Sequence, residues 1–591
     1  MADTAQDQAT PTVAIQLAAR LAGLWPRLVL VLTQAATRQC RAASGLDYSL
    51  IDYQGVLSAA YRFGLEWWLE PQRAMFAQSE MWWRHIALIA EHARSARPVA
   101  GGDKRFRDKG WDEDPALRWV RDLYLLNADW ILAQVSRART LDRHDRHKLE
   151  FYTRQLLSAL SPSNCPVIDP RVRARTFETG CENLVAGLEN LLKDLEHGTG
   201  LLPITQTDPG AFAIGHSLAA TPGKVVFRNA LIELIQYAPR TDRVWRHPLL
   251  FVPPWINKYY ILDLQPENSF LRWTVEQGHT VFVISWANPG PAHAGTGLDD
   301  YLRDGPLVAS KVVQEITGEH EINLGGFCIG GILALCTLAY LAAAGEVPVR
   351  SATLLATMVD LSEIGDCAVF IDEAQLANIE RHTRSSGFLD GSHMKDMFSL
   401  LRENDLIWNY VVGNYLLGRA PPAFDILHWN ADSTRLPARM LTDFLRGIYM
   451  DNSLVKQGQL RLAGQPIDLG RITTPCYFLS TFDDHIAPWR ASYPATQLIS
   501  GPVEFVLAGS GHIAGIVNPP TRGKYGYRTA QHHPGDAEAW LAHAEQHAGS
   551  WWPHWSKWLA RHDSEQVKAR AVGSNAHPPL MDAPGAYVLD K

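Results

Sequence analysis

The sequence predicts an α/β protein: a mostly parallel sheet covered on both faces, preceded by an all-helical N-terminal domain and interrupted by a helical lid. Three observations predict it. Residues 13 to about 195 place apolar side chains at helical spacing without period-2 alternation. Beyond them, short apolar runs alternate with helical stretches, the texture of strands buried on both faces. Between about 360 and 445 that rhythm breaks into a helical stretch rich in Trp, Asn and Phe, read as an insertion over the carboxyl edge of the sheet. With 591 residues the chain is too long for one compact domain, and 46% apolar against 20% charged residues excludes a disordered or fibrous chain. The expected division is a helical domain over 1–200 and a catalytic domain over 201–591, with the lid at about 360–445.

In chain order, the start is polar and carries Asp3 and Asp7 where a signal peptide needs basic residues. The apolar stretch 28–33 is far short of the roughly 20 residues that span a bilayer. Helical periodicity is clearest at 15–24, 56–69 and 117–135, with turn cues at 98–102 and 161–164. Three Trp pairs stand out, Trp67-Trp68, Trp82-Trp83 and Trp551-Trp552; such pairs are core material first, though aromatic rings also suit an apolar–water boundary. A Gly/Thr/Pro-rich stretch, 198–209, reads as the linker. The strand candidates are 249–252, 281–284, 322–324, 352–356, 477–480 and 503–507, with a helix at 332–344.

Composition excludes some functions. There are 55 basic and 62 acidic residues and a formal charge of −7, the wrong balance for a nucleic-acid binder. The seven cysteines are scattered without CxxC spacing, so neither a disulfide framework nor a zinc site is indicated and a reducing cytoplasm is expected.

The most informative stretch is Gly325-Gly326-Phe327-Cys328-Ile329-Gly330-Gly331, which follows a strand and opens a helix. It has the form of the G-x-S-x-G nucleophile elbow of the α/β-hydrolase fold, with Cys in place of Ser. Gly326 and Gly330 permit the tight turn, where any Cβ would clash. The turn lifts Cys328 to a helix N-terminus, whose dipole favours a thiolate. The N–H of Ile329 then faces an oxyanion on the acyl group. A second donor is expected after the 249–252 strand; Pro253 and Pro254 have no N–H, which leaves Trp255 or Ile256. Taken alone, G-x-C-x-G also describes a packed structural cysteine. The order nucleophile, acid, His adds weight: Asp483 and Asp484 follow the 477–480 strand, and His512 follows the last strand. One aspartate is the acid and the other a turn or cap residue; the spacing leaves open which.

A Cys nucleophile exchanging with a thioester donor keeps the acyl group activated, which suits transfer to an alcohol with His512 as base. Hydrolysis remains compatible with the same residues.

Several further blocks resemble the polyhydroxyalkanoate synthases, in particular the long single-subunit class I type. These are Pro253-Pro254-Trp255-Ile256-Asn257-Lys258-Tyr259-Tyr260-Ile261-Leu262-Asp263-Leu264, Ser285-Trp286-Ala287-Asn288-Pro289, and Phe424-Asp425-Ile426-Leu427-His428-Trp429-Asn430-Ala431-Asp432-Ser433-Thr434-Arg435. Asp484-His485-Ile486-Ala487-Pro488-Trp489 and Gly511-His512-Ile513 complete the catalytic half; Arg105-Phe106-Arg107-Asp108-Lys109-Gly110-Trp111 and Ala159-Leu160-Ser161-Pro162-Ser163-Asn164 extend the resemblance toward the N-terminus. It runs from about 105 to 525, with Ile329 where the family commonly has Val. The resemblance implies Cys328 as acyl-bearing nucleophile, His512 as general base and Asp484 as the acid, with Asp483 its structural neighbour. The implied reaction is polymerisation of (R)-3-hydroxyacyl-CoA, short-chain for class I, into polyester with release of CoA. No metal or organic cofactor is implied. The implied partners are the growing polyester and its granule surface, a second copy in a homodimer, and granule-associated proteins; the implied location is the cytoplasm, at the granules, with the N-terminal domain serving granule association and dimerisation.

Two other readings compete: a Cys-type thioesterase or depolymerase, and a granule-binding structural protein with an inert fold. The blocks outside the triad disfavour the first, and the intact Cys328, Asp484 and His512 disfavour the second. Trp408, Tyr415, Trp429 and Asn430 suit either a channel lining or ordinary packing. Lys258, Arg435 and Arg490 lie near motif blocks, where a salt-bridge role competes with contact to the phosphates of CoA.

Overall fold

The structure is a computed structural model describing residues 6–591 apart from 46, 95–101, 199–200, 202 and 564. Residues 98–101 of the turn read at 98–102, three positions of the 198–209 linker and the first five residues lie outside the described residues. Two compact units are present: residues up to Asp208 together with Asp396–Pro422, and Pro209–Lys395 together with Ala423–Lys591.

The first unit contains the helices α1 (Gln6–Ala43), α2 (Tyr53–Leu69), α3 (Pro71–Arg94), α4 (Pro115–Ser136), α5 (Arg143–Ala159), α6 (Pro170–Glu178) and α7 (Glu182–His197). Aspartates start four of them. Asp52, Asp114, Asp142 and Asp169 each accept a hydrogen bond from a first-turn N–H, and Pro115 and Pro170 occupy first positions that need no donor. Trp111 of the Arg105–Trp111 block is fully buried edge-on against Phe106, at 4.9 Å between centroids. The segment Asp396–Pro422 belongs to this unit: Val412 and Leu417 pack with Val172, and Tyr415 donates from its hydroxyl to Asp194 at 2.6 Å. So Tyr415 is engaged in packing in the first unit, whereas Trp429, in the second, donates from its indole to the Lys258 carbonyl at 2.7 Å.

Helix α2 is turned the wrong way round for an ordinary surface helix. Its Glu66 is 2% exposed and accepts from the N–H groups of Arg139 and Thr140, the Thr140 hydroxyl and Arg73. Leu57, Tyr61, Leu65 and Trp68, one stripe at helical spacing, face solvent instead. Met75, Phe76, Trp82, Trp83, Ile86 and Ile89 form a similar exposed stripe on α3. The first-choice reading of the Trp pairs as core therefore fails for Trp68, Trp82 and Trp83, which are 80%, 62% and 70% exposed. It holds for Trp551 and Trp552.

The second unit is built on an eleven-stranded sheet. In chain order its strands are β1 (Gly223–Arg228), β2 (Ile232–Tyr237), β3 (Leu249–Val252), β4 (Val281–Trp286), β5 (Ile322–Phe327), β6 (Val349–Leu355), β7 (Cys476–Thr481), β8 (Val503–Ala508), β9 (Tyr527–Thr529), β10 (Glu545–His547) and β11 (Met581–Asp582). Across the sheet the order is β10-β9-β8-β7-β6-β5-β3-β4-β2-β1-β11. The six strands β3 to β8 run parallel, and the flanking strands are antiparallel. All six predicted strands are among the parallel ones. Helix α8 (Ile329–Ala344) follows β5 and is buried along nearly its whole length. Below the sheet lies α9 (Trp552–His562): Trp551, Trp552 and Trp555 are buried, and their indoles donate to the carbonyls of Gly515 and Ile516 and to the Thr353 hydroxyl. Among the described residues no helix is long and apolar enough to cross a membrane.

Candidate active site

Parallel strands end at one edge, so the residues just after β3, β5, β7 and β8 meet there. After β5 the chain reverses through Cys328, whose φ of 53° and ψ of −123° are strained for a residue with a Cβ. A Cβ at Gly326 would come within 2.5 Å of Gly331 Cα, and one at Gly330 would overlap the carbonyl oxygens of Val252 and Pro253. Glycine at both positions is thus what lets the elbow close against its own helix and against the loop after β3.

His512 follows β8 and Asp484 follows β7. His512 Nδ1 donates to Asp484 Oδ2 at 2.8 Å, and both side chains are buried. The remaining capacity of the carboxylate is filled by the Thr481 hydroxyl at 3.1 Å and by the N–H groups of Ile486 and Ala487 at 2.9 and 2.8 Å. Asp483 is exposed and uses its own N–H on the Ser510 carbonyl. Burial alone would raise Asp484, but the imidazole and the two backbone donors hold it below the usual carboxylate range. Cys328 lies close enough to His512 to act on its charge, and with Nδ1 on Asp484 the nitrogen left to face the sulfur is Nε2. Burial pushes the imidazole down, yet the Asp484 carboxylate and the neighbouring Cys328 carry it up to about 10. The Phe327 ring stacks on His512 at 5.3 Å and limits its orientation.

The loop after β3 carries the other expected donors. Among the described residues no hydrogen bond uses the N–H of Ile329 or Trp255, whereas Ile256 lies at an antiparallel bridge, Asn257 opposite Ser433, and its carbonyl accepts from the Thr434 N–H at 3.4 Å. The Trp255 ring is buried among Trp286, Tyr301 and Phe444. Of the basic residues near motif blocks, Lys258 is buried in an ion pair with Asp432 at 2.8 Å, Arg490 pairs with Glu538 over the Trp489 ring, and Arg435 lies over Phe388. All three have intramolecular partners.

Two residues of the site escaped sequence reasoning. Burial, with Asp484, Asp366 and Cys328 nearby, pushes the Cys367 thiol up to about 12. Burial raises the Tyr449 phenol well above its usual value, and the sulfurs of Cys328 and Cys367 add to the effect. Both come from stretches between motif blocks, so no local pattern marks them.

A buried thiol beside a hydrogen-bonded imidazole–carboxylate pair at the carboxyl edge is suited to nucleophilic acyl chemistry. Comparison with known proteins gives the family. The family model described as the N-terminus of poly-beta-hydroxybutyrate polymerase (PhaC) matches residues 102–274, and that of the alpha/beta hydrolase fold matches 248–519. A poly(3-hydroxyalkanoate) polymerase of Methylorubrum extorquens is 46% identical, the alignment covering 89% of this chain and 88% of that one. The poly(3-hydroxyalkanoate) polymerase subunit of Rhizobium meliloti is 44% identical over 88% and 87% of the two chains, and that of Cupriavidus necator 42% over 88% and 88%. With a matching family profile, an α/β-hydrolase sheet and this similarity along most of its length, the chain is an enzyme belonging to the poly(3-hydroxyalkanoate) polymerase family.

Proposed function

We propose that this enzyme joins (R)-3-hydroxyacyl units from CoA thioesters into a polyester carried on Cys328. The observation that carries the reading is the placement of Cys328 on the elbow beside the buried His512–Asp484 pair. An imidazole raised to about 10 is protonated at neutral pH and so can compensate negative charge on the attacking sulfur. The thiolate attacks the acyl-CoA carbonyl, the C–S bond to CoA breaks, and the proton on His512 Nε2 goes to the departing sulfur. Acylation removes the sulfur's negative charge and with it part of what holds His512 up, so the imidazole is now neutral and basic. It takes the proton of an incoming 3-hydroxyl, whose oxygen attacks the Cys328 thioester. An ester forms, the thiolate–imidazolium pair is restored, and the chain, now one unit longer, rests on the new CoA. Attack by the thiolate returns it to Cys328 and releases that CoA. One ester forms and one CoA thiol leaves per cycle. Asp484 holds the tautomer throughout, and the N–H of Ile329, with that of Trp255 or Ile256, is the donor set proposed for the oxyanion.

The test substrate is (R)-3-hydroxybutyryl-CoA, the short-chain thioester that the class I resemblance implies. Purified protein is expected to release thiol and deposit insoluble polyester in step. Free 3-hydroxybutyrate with no polymer would make water the acceptor and the enzyme a thioesterase.

The exposed stripes of α2 and α3 suit association with the apolar product. Large contiguous apolar surface is uncommon on a soluble protein and marks a contact site. Replacing Trp68, Trp82 and Trp83 together by Ser is expected to move the protein from the polymer pellet to the supernatant by roughly tenfold or more, since each ring contributes about 1.5–3 kcal/mol when buried. An unchanged distribution would contradict this role.

A further inference from the structure

Lys258 stands between the loop after β3 and a segment about 330 residues distant in sequence. Its ammonium donates to the carbonyls of Val588 and Asp590 at 2.7 and 2.8 Å and pairs with Asp432 at 2.8 Å, which uses all three of its donors. The surroundings of this point are equally tied. The Lys258 carbonyl accepts from the Trp429 indole, the Trp255 carbonyl accepts from the Thr434 hydroxyl at 2.6 Å, and Tyr260 donates from its hydroxyl to Asp432 at 2.9 Å. The segment reaching Lys258 is itself anchored: the N–H groups of Ala586 and Tyr587 both donate at 2.9 Å to the buried carboxylate of Glu233, and the Tyr587 hydroxyl donates to the Asn229 carbonyl at 2.6 Å. On its other side the loop abuts the elbow, where the Val252 and Pro253 carbonyls leave no room for a Cβ on Gly330. The stretch 253–258 is therefore clamped between Cys328's helix and residues 586–590.

We infer that Lys258 is a positioning residue: together with the segment 586–591 it sets where the N–H groups of Trp255 and Ile256 point relative to Cys328. The inference rests on the acyl-carrier reading of Cys328. A buried ammonium is a costly way to fill space, because its charge must be compensated. Here it gathers three separate stretches of chain at one atom, which an apolar side chain of the same length cannot do. Orientation of the loop matters because an oxyanion donor acts only when it is aimed at the position of the developing charge.

The test uses the full chain, Lys258→Met, a variant lacking Tyr587–Lys591, and the two combined. Two rates are read: alkylation of Cys328 by iodoacetamide, which reports the thiolate–imidazolium pair, and thiol release from (R)-3-hydroxybutyryl-CoA. Each single change is expected to lower kcat roughly 100-fold, the scale of one misplaced oxyanion donor, with KM within about threefold and alkylation within about twofold of the parent. The combined variant is expected to be no slower than either alone, since both act through the same contact. Lys258→Arg should recover part of the rate, and a peptide of residues 581–591 should restore the shortened chain. A kcat that stays within about threefold of the parent, alkylation that slows in proportion to turnover, or losses that multiply in the combined variant would each overturn the inference. Should Lys258→Met not fold, the shortened chain with and without peptide decides. Thiol release that survives Cys328→Ala would instead overturn the acyl-carrier reading, and this inference with it.

Discussion

Cys328→Ala is expected to lower polymer formation by about 10⁴-fold or more, the scale seen when a covalent nucleophile is removed. The expectation follows from position as well as chemistry. Cys328 is the residue held at φ 53° on the turn between β5 and α8, and it lies close enough to His512 to help raise the imidazole. Cys367, the nearest alternative thiol, is raised to about 12 and is therefore almost wholly protonated at neutral pH, so it is a poor substitute. Its replacement by Ala is expected to leave polymer formation within a few-fold of the parent, whereas Cys328→Ala abolishes it; the comparison is read by thiol release on matched amounts of folded protein. Cys328→Ser separates nucleophile chemistry from packing. It keeps the shape, yet a serine is not held as an anion by an imidazolium, so its loss is expected to approach that of alanine.

Asp484→Asn carries the second largest effect, about 10³–10⁴-fold in turnover, because an amide cannot hold the His512 tautomer or stabilise its cation. The variant also changes the pH dependence of stability. His512 is raised in the folded state from 6.5 to about 10, so the contribution of the pair is fully present below about 6.5 and is lost as pH rises toward 10. Asp484 is lowered, so its share is present above its ordinary value of 3.8 and is lost as pH falls through its lower folded value. The gap in melting temperature between parent and Asp484→Asn is therefore expected to be widest between about pH 4 and 6.5 and to close toward pH 10. A gap that widens as pH rises from about 6.5 toward 10 would contradict the charge assignment. Asp483→Asn, at the exposed neighbour, is expected to change neither turnover nor this profile.

Much of this site was legible in the sequence because its parts are local. The six parallel strands are short apolar runs, buried on both faces, and each candidate site residue sits just beyond one of them. The elbow is a five-residue pattern whose glycines are required by sterics at Gly326 and Gly330. Choosing between Asp483 and Asp484 was another matter: spacing left both open, and only their surroundings separate them, one buried against His512 and the other exposed. The antiparallel flank was missed for a related reason. Strand β2 carries Glu233 and Gln236 in the middle of a buried run; Arg228 nearby pairs with Glu233, but the groups that complete the two, at 571, 573, 586 and 587, are more than 300 residues away. No window around β2 contains them.

The helical unit shows the opposite failure. Periodicity located α2 correctly, but it says only that one face is apolar. It does not say that this face is covered. Glu66 is the buried residue and Trp68 the exposed one because the donors for Glu66 come from Arg139 and Thr140. The stretch 396–422 was read with the lid because it interrupts the sheet domain in sequence, while its packing partners, Val172 and Asp194, belong to the helical unit. Lys258 likewise lay in a motif with no sign that its partners would be Val588 and Asp590.

The central claim, that the growing polyester is held as a thioester on Cys328, is tested most directly by acid-quenching the enzyme during turnover of (R)-3-hydroxybutyryl-CoA and measuring the mass of the peptide containing Cys328. The account predicts that peptide bearing a ladder of 3-hydroxybutyryl units, released by hydroxylamine and absent from Cys328→Ala. Polymer forming at an undiminished rate while the Cys328 peptide stays unmodified, or the same ladder appearing on another residue, would contradict it.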